Sequence, residues 1–192
     1  MDNIADIVFL LDTSDGVNSL NFKKEKAFVK LLAKRLNVSP GKSQAALIPF
    51  GSSSTLAIDF HSYNSFQAFE TLVDRVSSIG GARRIDKAFQ VASQVFRNSR
   101  SSVPKLVILL TTGQQPRNAP SLAESAVPLH SMGTMFYVVS IAKDLDRKYF
   151  EVLVEDSTKH VSEVSWFDSL NEVLPQLTRG IEEGKPSHVF EL

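Results

Sequence analysis

Asp12-Thr13-Ser14-Asp15-Gly16 places two carboxylates and two hydroxyls within five residues. Such oxygen donors can meet a ligand, or they can close a loop by accepting nearby backbone N–H groups. Directly before them, Ile7-Val8-Phe9-Leu10-Leu11 is an unbroken apolar run, rich in β-branched and aliphatic side chains. That pattern suits a strand covered on both faces, as in the middle of a parallel sheet. In open parallel α/β sheets ligands gather at the carboxyl ends of the strands, so Asp12 to Gly16 is the first place to look for a site.

Other residue types with chemical potential do not assemble into a motif. The chain has no cysteine, which removes disulfides, thiolate catalysis and the usual structural zinc sites together. His61, His130, His160 and His188 show no ligand spacing, and no Gly-x-Ser-x-Gly elbow occurs. Ser52-Ser53-Ser54 reads as a hairpin loop rather than as a nucleophile. Gly41-Lys42-Ser43 has the ending of a nucleotide-binding P-loop, but Leu36 stands where its first glycine is required and the segment leads into a strand. Asn37-Val38-Ser39 has the pattern of a glycosylation acceptor, with Pro40 placed to hinder its use.

Alternating elements are expected to hold the Asp12 loop in place. Asn21 to Leu36 has Phe22, Ala27, Phe28, Leu31, Leu32 and Leu36 near helical spacing, with lysines opposite. Gln44 to Gly51 then reads as a strand. Thr55 to Phe60 follows it too closely for a helical crossover, which predicts an antiparallel edge strand. Helices are expected over Ser65 to Ile79, Arg84 to Asn98, Ser121 to Met132 (interrupted by Pro128), Asp146 to Glu155 and Phe167 to Glu183. Strands are expected over Lys105 to Thr111, Thr134 to Ala142 and Val161 to Val164. The expected fold is α/β: a doubly wound, six-stranded, mostly parallel sheet with one antiparallel edge strand and helices on both faces. One domain over residues 1–184 and a tail over residues 185–192 are expected.

Lys+Arg 21 against Asp+Glu 21 leaves no formal net charge, so no global field favours nucleic acid or an anionic membrane. No apolar run reaches the roughly 18 residues that a membrane helix needs, and the chain reads as soluble. Met1 to Ile4 carries no secretory leader pattern, so localisation is not legible at this end.

Three stretches, together with the order of elements over nearly the whole chain, resemble the von Willebrand factor type A domain, also called the A or I domain. Asp12 to Gly16 is similar to the family's Asp-x-Ser-x-Ser. Gly80-Gly81-Ala82-Arg83-Arg84-Ile85-Asp86-Lys87-Ala88-Phe89 is similar to its Gly-Gly-x-Thr-x-Thr-Gly-x-Ala-Leu. Lys105 to Gly113 is similar to its apolar strand ending in Thr-Asp-Gly. The resemblance implies a metal-ion-dependent adhesion site, at which Asp12 and Ser14 match while Gly16, Arg83 and Thr112 replace a serine, a threonine and an aspartate. A degenerate site with no metal and no cofactor is expected, because Arg83 would bring a fixed cation to the place of the ion. Asp12 is left either to accept loop N–H groups or to pair with Arg83, Asp15 to face solvent, and Ser14 and Thr112 to act as turn residues.

The resemblance further implies a non-catalytic, secreted protein-protein interaction module of the extracellular matrix, like the A-domain arrays of collagen VI, serving matrix assembly and cell adhesion. Its implied partners are other extracellular matrix proteins and neighbouring A domains, with no nucleic acid and no membrane, and the isolated domain is expected to be monomeric. The alternatives are an intracellular A-domain scaffold or adaptor and a nucleotide-binding enzyme of doubly wound fold. Sister domains or a leader sequence would separate the first two, and stabilisation by nucleotides would mark the third.

Overall fold

The computed structural model describes residues 4–142 and 146–184. Five strands, β1 (Asp6–Asp12), β2 (Gln44–Phe50), β3 (Lys105–Thr111), β4 (Met135–Ile141) and β5 (Val161–Val164), pair in the order β2-β1-β3-β4-β5, all in parallel. The register is level at the carboxyl ends, with Asp12 opposite Phe50 and Leu11 opposite Leu110. The loops that leave β1, β2 and β3 therefore start side by side.

β1 shows why the sheet is double-faced. Ile7, Phe9 and Leu11 enter one core with α1 (Ser19–Arg35), α2 (Phe66–Arg75) and α7 (Leu174–Gly184). Val8 and Leu10 enter the other, with α3 (Ile85–Arg97) and α4 (Leu122–His130). A strand apolar from Ile7 to Leu11 thus finds partners on both sides, which alternation along a strand requires. Caps fix where the helices begin: Asn18 Oδ1 accepts the Asn21 N–H at 2.9 Å, and Ser121 and Glu124 form a reciprocal capping box.

The sixth, antiparallel strand is a correction. Thr55 to Phe60 meets β2 at one isolated antiparallel bridge, Leu47 with Ile58, and Ser54 just before it bridges Phe50. Leu47 N–H donates to Ile58 O at 2.9 Å and Ala57 N–H donates to Leu47 O at 2.9 Å. The next outward-facing residue of β2 is Pro49, which has no N–H to donate, so the ladder stops there.

Several helices also differ from expectation. The buried face of α1 is Phe22, Glu25, Phe28, Val29, Leu32 and Ala33, while Leu31 is exposed. Between Asp146 and Glu155 only a short α5 (Lys148–Glu151) forms, and a second short helix, α6 (Ser157–His160), precedes β5. The closing helix is split into a 3₁₀ segment, Phe167–Val173, and α7. Pro175 lies in the first turn of α7, where its missing N–H costs nothing, but it could not have continued a helix from before. Pro128, by contrast, stays inside α4. The expected tail, residues 185–192, lies outside the described residues.

Candidate functional site

At the carboxyl ends of the strands three loops are tied together by backbone and side-chain contacts. Thr13 Oγ1 donates to Phe50 O at 2.9 Å and accepts the Ile79 N–H at 3.1 Å. Gly80 N–H donates to Thr13 O at 2.8 Å, and Ser52 N–H donates to Gly80 O at 2.8 Å. Gly51 packs so close to this turn that a Cβ on it would lie 2.2 Å from Gly80 O, so no other residue fits there. Asp15 is exposed, as expected, yet its Oδ1 accepts the Gly81 N–H at 2.6 Å and its own N–H donates to Gly81 O at 3.0 Å. It is a crosslink between loops rather than a solvated bystander.

Asp12 lies at the centre with 0% exposure. Its Oδ1 accepts the Ser14 N–H at 3.0 Å and the Ser14 hydroxyl at 2.6 Å. Its Oδ2 accepts the Arg83 Nε–H at 2.6 Å, the Thr112 N–H at 2.8 Å and the Thr112 hydroxyl at 2.9 Å. Both readings of Asp12 left open by the sequence are therefore realised at once. Burial pushes its carboxyl up, but the Arg83 charge, the Ser14 hydroxyl and the Thr112 N–H outweigh that and hold it below its usual range.

Arg83 comes from the loop before α3 and lies across the site with 18% of its side chain exposed. Besides Asp12, it donates from Nη2 to Thr112 Oγ1 at 2.5 Å and from Nη1 to Gln114 O at 3.2 Å. Two glycines make room for the guanidinium: a Cβ at Gly16 would lie 3.3 Å from Nη2, and one at Gly113 would lie 2.8 Å from Nη1. All five positions singled out in the sequence, Asp12, Ser14, Gly16, Arg83 and Thr112, thus meet in one place. Next to them Arg84 forms a separate two-bonded pair with Asp86, at 2.8 and 2.6 Å, which braces the first turn of α3.

One residue of this neighbourhood escaped the sequence reading. Glu25, on the buried face of α1, is fully enclosed, and neither carboxyl oxygen has a hydrogen-bond partner. Burial pushes its carboxyl well above the usual range, the negative charge of Asp12 pushes it the same way, and Arg83 opposes both. The signal was present in the spacing: Glu25 stands three residues after Phe22 and four before Val29, in the middle of the apolar stripe.

A family model for the von Willebrand factor type A domain matches residues 6–176, and the chain belongs to that family. Among its curated relatives are human vitrin, 26% identical over 93% of this chain and 26% of vitrin, and the mouse collagen alpha-4(VI) chain, 25% identical over 92% of this chain and 7% of that protein. Mouse matrilin-3 is 25% identical over 93% of this chain and 37% of its own length. These relatives are secreted extracellular matrix proteins. The chain spans 7–37% of the length of these three. Among solved structures, proximal thread matrix protein 1 from the mussel byssus superposes with a TM-score of 0.83 at 24% identity, over 92% of this chain and 46% of that one. Another structure of that protein, with a zinc-occupied MIDAS motif, gives the same TM-score of 0.83. At this identity the likeness speaks for the fold.

Proposed function

We propose that this domain is a non-catalytic protein-protein interaction module of the extracellular matrix that works without a divalent cation. The observation that carries the reading is the Arg83 Nε–H bonded to Asp12 Oδ2 at 2.6 Å, with the rest of the guanidinium spread over Gly16 and Thr112. A hard divalent ion needs about six oxygens around it. Asp12 and Ser14 supply such oxygens, Gly16 supplies none, and Thr112 supplies a hydroxyl in place of a carboxylate. The permanent charge of Arg83 repels an ion from the oxygens that remain. The donor set therefore does not fit Mg²⁺ or Mn²⁺, and the site is degenerate.

Without a cation that holds an open coordination position, the three loops do not trap a partner's carboxylate, and recognition falls to the surrounding surface. Trp166, 64% exposed just beyond β5, and Leu20, 60% exposed in the first turn of α1, lie at the same end of the sheet as the loops. Exposed aromatic residues of this kind often anchor protein interfaces. Partners would be other matrix proteins and neighbouring A domains, each contact weak and made effective by repetition along an array. The relatives among collagen VI chains support that kinship, and an N-terminal A domain of a collagen VI alpha-3 chain would be one such setting. The test is a binding assay of the monomeric domain against collagen VI fragments, other matrix proteins and adjacent A domains, with Mg²⁺ and with EDTA. Equal binding in both is expected; binding that vanishes in EDTA while the fold persists refutes the reading.

A further inference from the structure

In a chain without formal net charge, α1 is strongly one-sided. Its 17 residues carry Lys23, Lys24, Lys26, Lys30, Lys34 and Arg35 against a single acid, Glu25, and that acid is buried. Glu25 shares the inward face with Phe22, Phe28, Val29, Leu32 and Ala33. At about 3.6 residues per turn the opposite face is Leu20, Lys23, Ala27, Leu31 and Lys34, and all five are exposed. Leu20 is 60% exposed and Leu31 43%. No carboxylate stands on that face, and none stands in the first turn, where the helix dipole favours one.

Neighbouring elements hold the flanks of this face and leave its middle uncovered. On one flank Lys24 pairs with Asp168 of the 3₁₀ segment at 2.8 Å, and on the other Lys30 pairs with Asp74 near the end of α2 at 2.8 Å. Lys26 lies deeper on the α2 side, donating to Asp74 O at 2.9 Å and to Val76 O at 3.2 Å. Lys23, Lys34 and Arg35 form no ion pair among the described residues. Trp166 stands two residues before Asp168, and Leu20 stands one turn before Lys24, so the Lys24–Asp168 pair sets both exposed apolar side chains at one end of the face.

A plain row of lysines would suit any polyanion. Here cations and leucines share one line along the helix, and covering the leucines rewards only a partner that is apolar along the same line. A sulfated polysaccharide has no such line, and two leucines with an alanine are a narrow face for a membrane surface. Free cations beside an apolar stripe are complementary to carboxylates beside an apolar stripe, which one helical face presents at matching intervals.

We propose that the outward face of α1 receives an acidic amphipathic helix of a partner protein, its apolar stripe against Leu20, Ala27 and Leu31 and its carboxylates beside Lys23, Lys34 and Arg35. This assigns a surface and a partner chemistry to the interaction module proposed above, and it rests on that reading.

The test is a nuclear magnetic resonance titration of the chain with a helical peptide of repeated Glu-Leu-Ala-Ala-Leu-Glu-Gln units. The same peptide with serine for leucine, heparin, and vesicles of phosphatidylserine and phosphatidylcholine are titrated separately. Saturable shifts at Leu20, Lys23, Ala27, Leu31 and Lys34 with the leucine peptide are expected. Lys23→Glu with Lys34→Glu, and separately Leu20→Ser with Leu31→Ser, all at exposed positions, should each weaken that binding by about threefold to tenfold while the rest of the spectrum stays in place. Absence of saturable shifts on α1 would overturn the proposal. So would an equal response to the serine peptide, or tighter binding of heparin or vesicles at the same residues. In the matrix-binding assay above, partners that bind the native chain and both double variants alike would overturn this surface and leave the module standing. A native chain that binds no partner there would overturn both.

Discussion

β1 ends on a buried aspartate at either extremity, and each is met by an arginine from a distant loop. At the amino end Asp6 accepts from the Arg100 backbone N–H at 2.8 Å, Nε at 2.9 Å and Nη2 at 2.5 Å. At the carboxyl end Asp12 shares one guanidinium bond with hydroxyl and N–H donors from its own and a third loop. The first pair is a clamp: one residue supplies nearly all of the compensation, and the ionisable neighbour it has in Tyr63 spends its hydroxyl on the Ala45 backbone. The second, on the function proposed above, is a site whose ligand position a side chain has taken, and an unpartnered Glu25 is buried alongside. The same chemistry, a carboxylate at 0% exposure with an arginine, thus serves closure at one end and, on the proposed reading, replacement of a ligand at the other.

That difference can be broken most sharply at Asp6. Arg100→Met strands a fully buried carboxylate with little besides a backbone N–H, and should cost about 3–5 kcal/mol, or about 6–20 °C in Tm for a chain of this size. Thermal unfolding followed by circular dichroism measures it. Arg83→Met should cost less, about 2–3 kcal/mol, because Ser14 and Thr112 go on donating to Asp12. A double-mutant cycle with Asp12→Asn should return a coupling of about 1–3 kcal/mol between the two side chains. Additive effects would mean that Arg83 merely lies near Asp12, and an Arg83→Met variant as damaged as Arg100→Met would erase the distinction between clamp and site.

The fold was legible because it rests on patterns that local sequence carries: apolar strands, helical stripes, and turn residues between them. Asp12, Ser14, Gly16, Arg83 and Thr112 were legible as a group through motif resemblance, and their convergence follows from the level register of β1, β2 and β3. Three features were not legible. The missing edge strand depends on Pro49 lying on the outward side of β2, which only the register shows. The use of Asp15 depends on a turn sixty-odd residues away. Glu25 was hidden because an amphipathic reading assigns charged residues to the solvent side, and here one charged residue occupies a stripe position.

Glu25 gives a pH-dependent way to sharpen the comparison. Its carboxyl keeps its proton in the native state well above the ordinary value of 4.5, at which the unfolded chain releases it. Between those values the native state binds more protons, so the stability that this residue confers is full at low pH and falls as pH rises toward the folded value. Asp12 acts in the opposite sense: its lowered value gives stability that is present above about pH 4 and lost as pH falls through the folded value. Glu25→Leu should remove the first trend and raise stability at neutral pH by about 1–3 kcal/mol, since no unpartnered carboxyl remains in the core. Urea unfolding midpoints compared between about pH 5 and pH 9 would show it, and a wild-type slope that survives in Glu25→Leu would assign the trend to another group.

The smallest expected effect is no effect. If Arg83 stands where an ion would stand, the melting temperature of the native chain should be the same in millimolar Mg²⁺ or Mn²⁺ and in EDTA, because only a ligand that binds the folded state raises stability. Equality alone would not say whether the guanidinium excludes the ion or whether too few oxygens are present to hold it. Two variants separate these causes. Arg83→Thr removes the cation and adds one hydroxyl; Gly16→Ser, Arg83→Thr and Thr112→Asp together also restore a serine hydroxyl and a second carboxylate. A metal ten times above its dissociation constant stabilises by about 1.4 kcal/mol, or about 3–6 °C here. A rise of that size in the triple variant and none in Arg83→Thr would assign the loss of metal binding to the missing donors. A rise already in Arg83→Thr would assign it to the charge, and a rise in the native chain that Asp12→Ala abolishes would refute the replacement itself.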